Sequence, residues 1–191
     1  MRGVVAGAVL AVALAGCASP QPGAPAGPEP FTGIELPPRP RDVPVRDVNP
    51  CDLLTEAQRA EIGLETPPLY SPAEGSILFE GPEPLCASNS FRPRAIAVGV
   101  ATPHDGLGIT ALTGRPVRSE LTVLDVQGFP AVLARPRFDP LFCQVLVDVA
   151  PGAALSVIFR DGGRGNVPQD DLCDGAVQTA NAAMTTLLSL S

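Results

Sequence analysis

Five cysteines, at positions 17, 51, 86, 143 and 173, constrain this chain of 191 residues more than any other feature. None of them stands in a C-x-x-C spacing, and the one histidine, His104, lies far from supplying a fourth ligand, so the set does not read as a metal site. An odd number leaves one thiol over. The first cysteine supplies the reason.

Cys17 closes an apolar run that begins at Val4 behind a single Arg2, and it is preceded by Leu14-Ala15-Gly16. The string resembles the lipobox of a bacterial lipoprotein, in which small residues fit a peptidase cleft and the retained cysteine takes a diacylglycerol thioether. Val4 to Ala15 falls well short of the roughly 20 residues needed to span a bilayer as a helix. The resemblance implies a signal peptide over 1–16, lipidation of Cys17, and a palmitate-bearing membrane anchor on the extracytoplasmic face. Setting Cys17 aside leaves Cys51, Cys86, Cys143 and Cys173, an even set that in an oxidising compartment reads as two disulfides.

Removal of residues 1–16 takes one arginine, leaving 12 cationic side chains, all arginine, against 20 acidic ones. A surface this acidic and without basic clusters excludes nucleic acid, which binds by releasing counterions to positive charge. From Ala18 to Pro50 there are ten prolines and few large apolar side chains. That composition cannot bury enough surface to offset its ordering entropy, so the segment 17–47 is expected to be a lipidated, partly polyproline tether. The remaining 48–191 has the length of one domain and no internal repeat.

Within it, Thr55-Glu56-Ala57-Gln58 has the form of a capping box that opens a helix to Ile62, with Gly63 as its stop. The span from Glu65 to Pro84 is rich in proline and reads as loop with one short strand around Ile77–Phe79. Cys86–Phe91 reads as a strand. Ala95–Thr102 alternates, with Ile96, Val98 and Val100 on one face and small residues on the other, where a helix is expected to approach. A short helix is expected over Leu107–Leu112. Leu121–Val126 and Ala131–Arg135 read as strands joined around Gly128-Phe129-Pro130. Cys143–Val149 and Ala154–Arg160 form a hairpin through a type II turn at Pro151-Gly152. Last comes an amphipathic helix from Asp171 to Leu188, with Asp170, Asp171 and Asp174 where the helix dipole favours carboxylates.

The lipobox, the proline-rich segment, Pro50-Cys51-Asp52-Leu53-Leu54-Thr55, a cysteine before the first long strand, Cys143 at a later strand and Asp171-Leu172-Cys173 at the final helix together resemble the actinobacterial lipoprotein family DUF3558, a domain of unknown function. The resemblance brings no catalytic residues with it. The fold expected is α+β, an antiparallel sheet of about five or six strands covered on one face by the N-terminal and C-terminal helices and stapled by disulfides. Of the three possible pairings, the placement of Cys51 and Cys173 at helices and of Cys86 and Cys143 at strand starts favours Cys51–Cys173 and Cys86–Cys143.

Chemistry is sparse. One histidine and no lysine leave few general bases, and His104-Asp105-Gly106 reads as a solvated loop rather than part of a triad. The glycine-rich stretch 161–166 lacks the lysine of a phosphate loop and the ordered oxygens of an EF-hand, so it reads as a flexible connection between strand and last helix, with weak cation contact by Asp161 and Asn166 left open. No cofactor and no enzymatic activity is expected. The expectation is a noncatalytic binding or accessory module recognising an envelope protein or small ligand; the alternative is a carrier of a lipid or other apolar ligand held between helix and sheet.

Overall fold

The computed structural model describes residues 34–74, 82–106, 108–109 and 119–191. The signal segment, Cys17, the strand expected at Ile77–Phe79 and most of the helix expected at Leu107–Leu112 lie outside these residues. Among them, seven strands form one antiparallel sheet: β1 Leu69–Glu74, β2 Pro82–Ser90, β3 Ile96–Ala101, β4 Ser119–Val126, β5 Phe129–Pro136, β6 Phe142–Ala150 and β7 Ala153–Asp161. Their spatial order is β1-β2-β3-β7-β6-β5-β4, two meanders sewn together where β3 pairs with β7. Helix α1 spans Glu56–Ile62 and α2 spans Gln169–Ser189. The sheet has more strands than expected. β1 was hidden in a proline-rich stretch, and it tolerates Pro72 because an edge strand needs only one side of its ladder.

The β6–β7 hairpin is the centre of the molecule. Its turn sets Gly152 at φ 68°, a backbone conformation that glycine adopts without steric cost. Cys143, Val145, Val147 and Val149 of β6 join Leu155, Val157 and Phe159 of β7 on one face, and Val98 and Val100 of β3 extend it. Helix α2 lies on this valine face through Leu172, Cys173, Ala176, Ala180, Ala183, Met184 and Leu187. The sequence placed the helix on the small-residue side of β3 instead. There, Leu85 of β2 folds over Gly99, whose missing Cβ would come within 2.8 Å of the leucine Cδ1. Branched side chains win the helix because they supply the larger apolar area.

The first helix is anchored differently from expectation. Its capping box forms as read: Gln58 N–H donates to Thr55 Oγ1 at 3.3 Å, and Thr55 N–H donates to Gln58 Oε1 at 2.8 Å. Yet no residue of α1 is fully buried. It holds to α2 instead of the sheet, with Gln58 Nε2 donating to Ala182 O at 2.9 Å and Thr186 Oγ1 donating to Gln58 Oε1 at 3.0 Å.

Part of the expected tether belongs to the folded domain. Val43 and Val45 are 0% and 1% exposed in the main core, and Val43 N–H donates to Val149 O at 2.7 Å. Arg39 bridges Asp42 at 2.5 Å and Asp148 at 2.8 Å. Ile34 and Leu36 pack with Ile109, Val132, Ala134 and Leu146 on the sheet face opposite α2. The strap from residue 34 therefore closes the second face of the sheet. Proline content disguised it, although Val43 and Val45 alternate with exposed Asp42, Pro44 and Arg46.

The disulfides are Cys51–Cys86 and Cys143–Cys173, each with Cα atoms 4.9 Å apart, which corrects the expected pairing. Strands β2 and β6 are separated by β3 and β7, so Cys86 and Cys143 stand about 14 Å apart at ordinary strand spacing, beyond disulfide reach. Cys51 sits in a 3-10 turn, Pro50–Asp52, laid against β2, while Cys173 lies on the α2 face that covers β6. The bridged residues are 35 and 30 apart in sequence. On the chain-entropy estimate each bridge stabilises by about 4 kcal/mol. A peptide map of the unreduced protein should contain these two crosslinked pairs and neither Cys51–Cys173 nor Cys86–Cys143. Replacing Cys143 and Cys173 by alanine should lower the unfolding free energy by about 3–4 kcal/mol in urea titration.

Candidate binding cleft

At one end of the sheet the β2–β3 turn faces the first half of α2, and the end of α1 closes the side. The cleft between them holds about 390 Å³. Its apolar floor is Ile62, Ile96, Phe159 and Val167. Gly175 makes that floor possible, since a Cβ there would meet the Phe159 ring at 2.7 Å. The rim is polar. Arg94 crosses the mouth to pair with Asp171 in the first turn of α2, and the neighbouring Asp170 pairs with Arg135 at 2.5 Å. These carboxylates thus serve arginine partners as well as the helix dipole.

The β2–β3 turn is held from both sides. Buried Ser90 donates its hydroxyl to Arg92 O at 3.0 Å, and the Glu65 carboxylate accepts the Phe91 N–H at 2.9 Å. The Arg92-Pro93 peptide is cis. Among the described residues, the Arg92 guanidinium has no hydrogen-bond or ion-pair partner, and neither does Asp174 or Gln178 across the cleft. A cation on one wall and an acceptor and an amide on the other flank the apolar floor, a combination complementary to an apolar body with polar ends.

The family profile described as "Protein of unknown function (DUF3558)" matches residues 12–186, nearly the whole chain. The chain belongs to this family. No curated protein and no solved structure matches it.

Other residues singled out in the DUF3558 sequence fall elsewhere. His104 Nδ1 lies 2.8 Å from Thr102 O, and its Nε2 is 3.7 Å from Asp105 Oδ2. Asp105 itself is held by Arg46, which lowers its pKa through their hydrogen bonds. The loop that leaves β3 is thereby fastened to the N-terminal segment, so His104 and Asp105 are engaged in structure. Residues 92–94 and the pair Asp174 and Gln178 were not singled out as a site by sequence. Their signals were an Arg-Pro-Arg between two strands and an i, i+4 pair on the polar side of α2.

Asp161 turns out to hold the glycine-rich loop together. Its Oδ1 accepts N–H groups from Gly163, Arg164 and Gly165 at 2.7–2.8 Å, and Oδ2 accepts those of Asn166 and Val167 at 3.0 and 3.1 Å. Burial by itself raises the pKa of this carboxyl, but the N–H groups of Gly165, Val167, Gly163 and Asn166 outweigh it and hold the value at about 2. Five backbone donors converge on the two oxygens of one carboxylate, so Asp161 is engaged in organising the loop. The folded-state value lies below the ordinary 3.8, so this stabilisation is complete above about pH 4 and is lost as pH falls towards 2. Asp161→Ala should cost about 2–4 kcal/mol in urea unfolding at pH 7 and should flatten the decline in stability between pH 4 and 2.

Proposed function

We propose that this DUF3558 protein is a lipoprotein of the actinobacterial cell envelope, anchored through Cys17 and acting as a noncatalytic binding module. The observation that carries the binding role is the cleft over Ile96 and Phe159, where Arg92 faces Asp174 and Gln178 across an apolar floor. Two disulfides fit an exported domain, because such bonds persist in oxidising compartments. No helix among the described residues is long and apolar enough to cross a membrane. Attachment through lipid at Cys17 agrees with that.

A carrier of apolar ligands needs room between helix and sheet. That layer is filled by Ala176, Ala180, Ala183, Met184 and Leu187, all 1% exposed or less, and Gly175 touches the Phe159 ring. The packing favours recognition at the rim over storage beneath the helix.

Cys17→Ser should abolish palmitate incorporation and release the protein from the membrane fraction; retention of both label and membrane association would sink the anchor. For the cleft, a photoreactive phenylalanine at Gln178 should yield a discrete adduct in intact cells that Arg92→Glu suppresses at least five-fold. The same adduct at undiminished yield in Arg92→Glu counts against this cleft as the binding site.

A further inference from the structure

A second groove, of about 400 Å³, lies at the β1 edge of the sheet and shares no lining residue with the cleft above. One wall is Tyr70 of β1 with Pro84 of β2; the other is the segment that carries Arg46, Asp47 and Asn49. Tyr70 is 53% exposed. The two walls are joined covalently at their base, because Cys51 follows one and Cys86, the register partner of Tyr70, belongs to the other. The groove is thus fixed before any ligand arrives, which removes an ordering cost from binding.

Its polar groups are specified by their neighbours. Asn49 Oδ1 accepts the Cys51 N–H at 3.0 Å, so the amide presents its Nδ2 as a donor. Arg46 is neutralised and oriented by two hydrogen bonds to the Asp105 carboxylate. Among the described residues, the Asp47 carboxylate accepts no hydrogen bond although its charge acts on the Arg46 guanidinium, so its oxygens are left as acceptors, and the Tyr70 hydroxyl has no hydrogen-bond partner. Anions find no unpaired cation here, and a single free carboxylate is too little for a metal ion. An apolar ligand would strand the polar wall. What matches is a neutral molecule whose hydroxyls both donate and accept and whose C–H face lies on an aromatic ring.

We propose that this groove binds a neutral carbohydrate, with Tyr70 as the stacking platform and Asp47 and Asn49 as the hydroxyl partners. The chain contains one tyrosine and no tryptophan, so the ring-proton signals of Tyr70 report the groove directly. The full chain is titrated with maltotriose, cellotriose and triacetylchitotriose. At least one should shift those signals saturably, and Asp47→Ala should weaken that binding at least ten-fold with its melting temperature unchanged, while Asp47→Asn recovers part of the loss. The proposal is overturned if no trisaccharide gives a saturable shift, or if Asp47→Ala binds as tightly as the parent. A response to a proline-rich decapeptide and to none of the sugars overturns it in favour of a peptide groove.

Discussion

Contact between α2 and the valine face of the β6–β7 hairpin is the interaction on which the rest of the structure depends. Val145, Val147, Leu155 and Val157 are fully buried beneath it, and alanines at 176, 180 and 183 let the helix backbone come close. Cys143–Cys173 then makes that approach permanent. β6 is buried on its other face too, because Leu146 packs with Ile34, Leu36 and Ile109. Burial on both sides obliges the two polar residues of that second face to find partners: Gln144 Nε2 donates to Ser156 Oγ at 2.9 Å, and Asp148 pairs with Arg39 at 2.8 Å.

The sequence was most readable where local chemistry decides the outcome. The capping box of α1, the β6–β7 turn and the long stripe of α2 each depend on residues a few positions apart, and they formed as read. It was least readable where distant segments compete for one surface. Whether a helix covers the valine or the alanine side of β3 depends on what Leu85 does from another strand, and the cysteine partners depend on a strand order that no local pattern encodes. The strap at 34–45 was overlooked for a related reason. Two valines among prolines bury little by themselves and gain their value from a core assembled by residues a hundred positions later.

The candidate sites follow the same division. Arg92 and Arg94 were visible as residues, but their place in the cleft comes from α2 arriving opposite them with Asp171, Asp174 and Gln178. Asp161 was legible as part of a loop and illegible as its organiser, since the convergence of five N–H groups is a property of the folded backbone. The acidic balance of the whole chain likewise conceals how its charges are spent. Arg39, Arg46, Arg94 and Arg135 are committed to carboxylates, whereas Arg92 is not.

The strap also sets how the domain responds to tension entering from its N-terminal side. A pull at residue 34 first works against Ile34, Leu36, the Arg39 bridges and the Val43 N–H to Val149, contacts that peel away one after another. At Cys51 the peeling stops, because the bond to Cys86 diverts the force into β2, which is hydrogen-bonded on both sides. The strap's own hold is on β6, through Asp148 and Val149, and beyond Cys51 the load path runs into β2 and its two neighbouring strands.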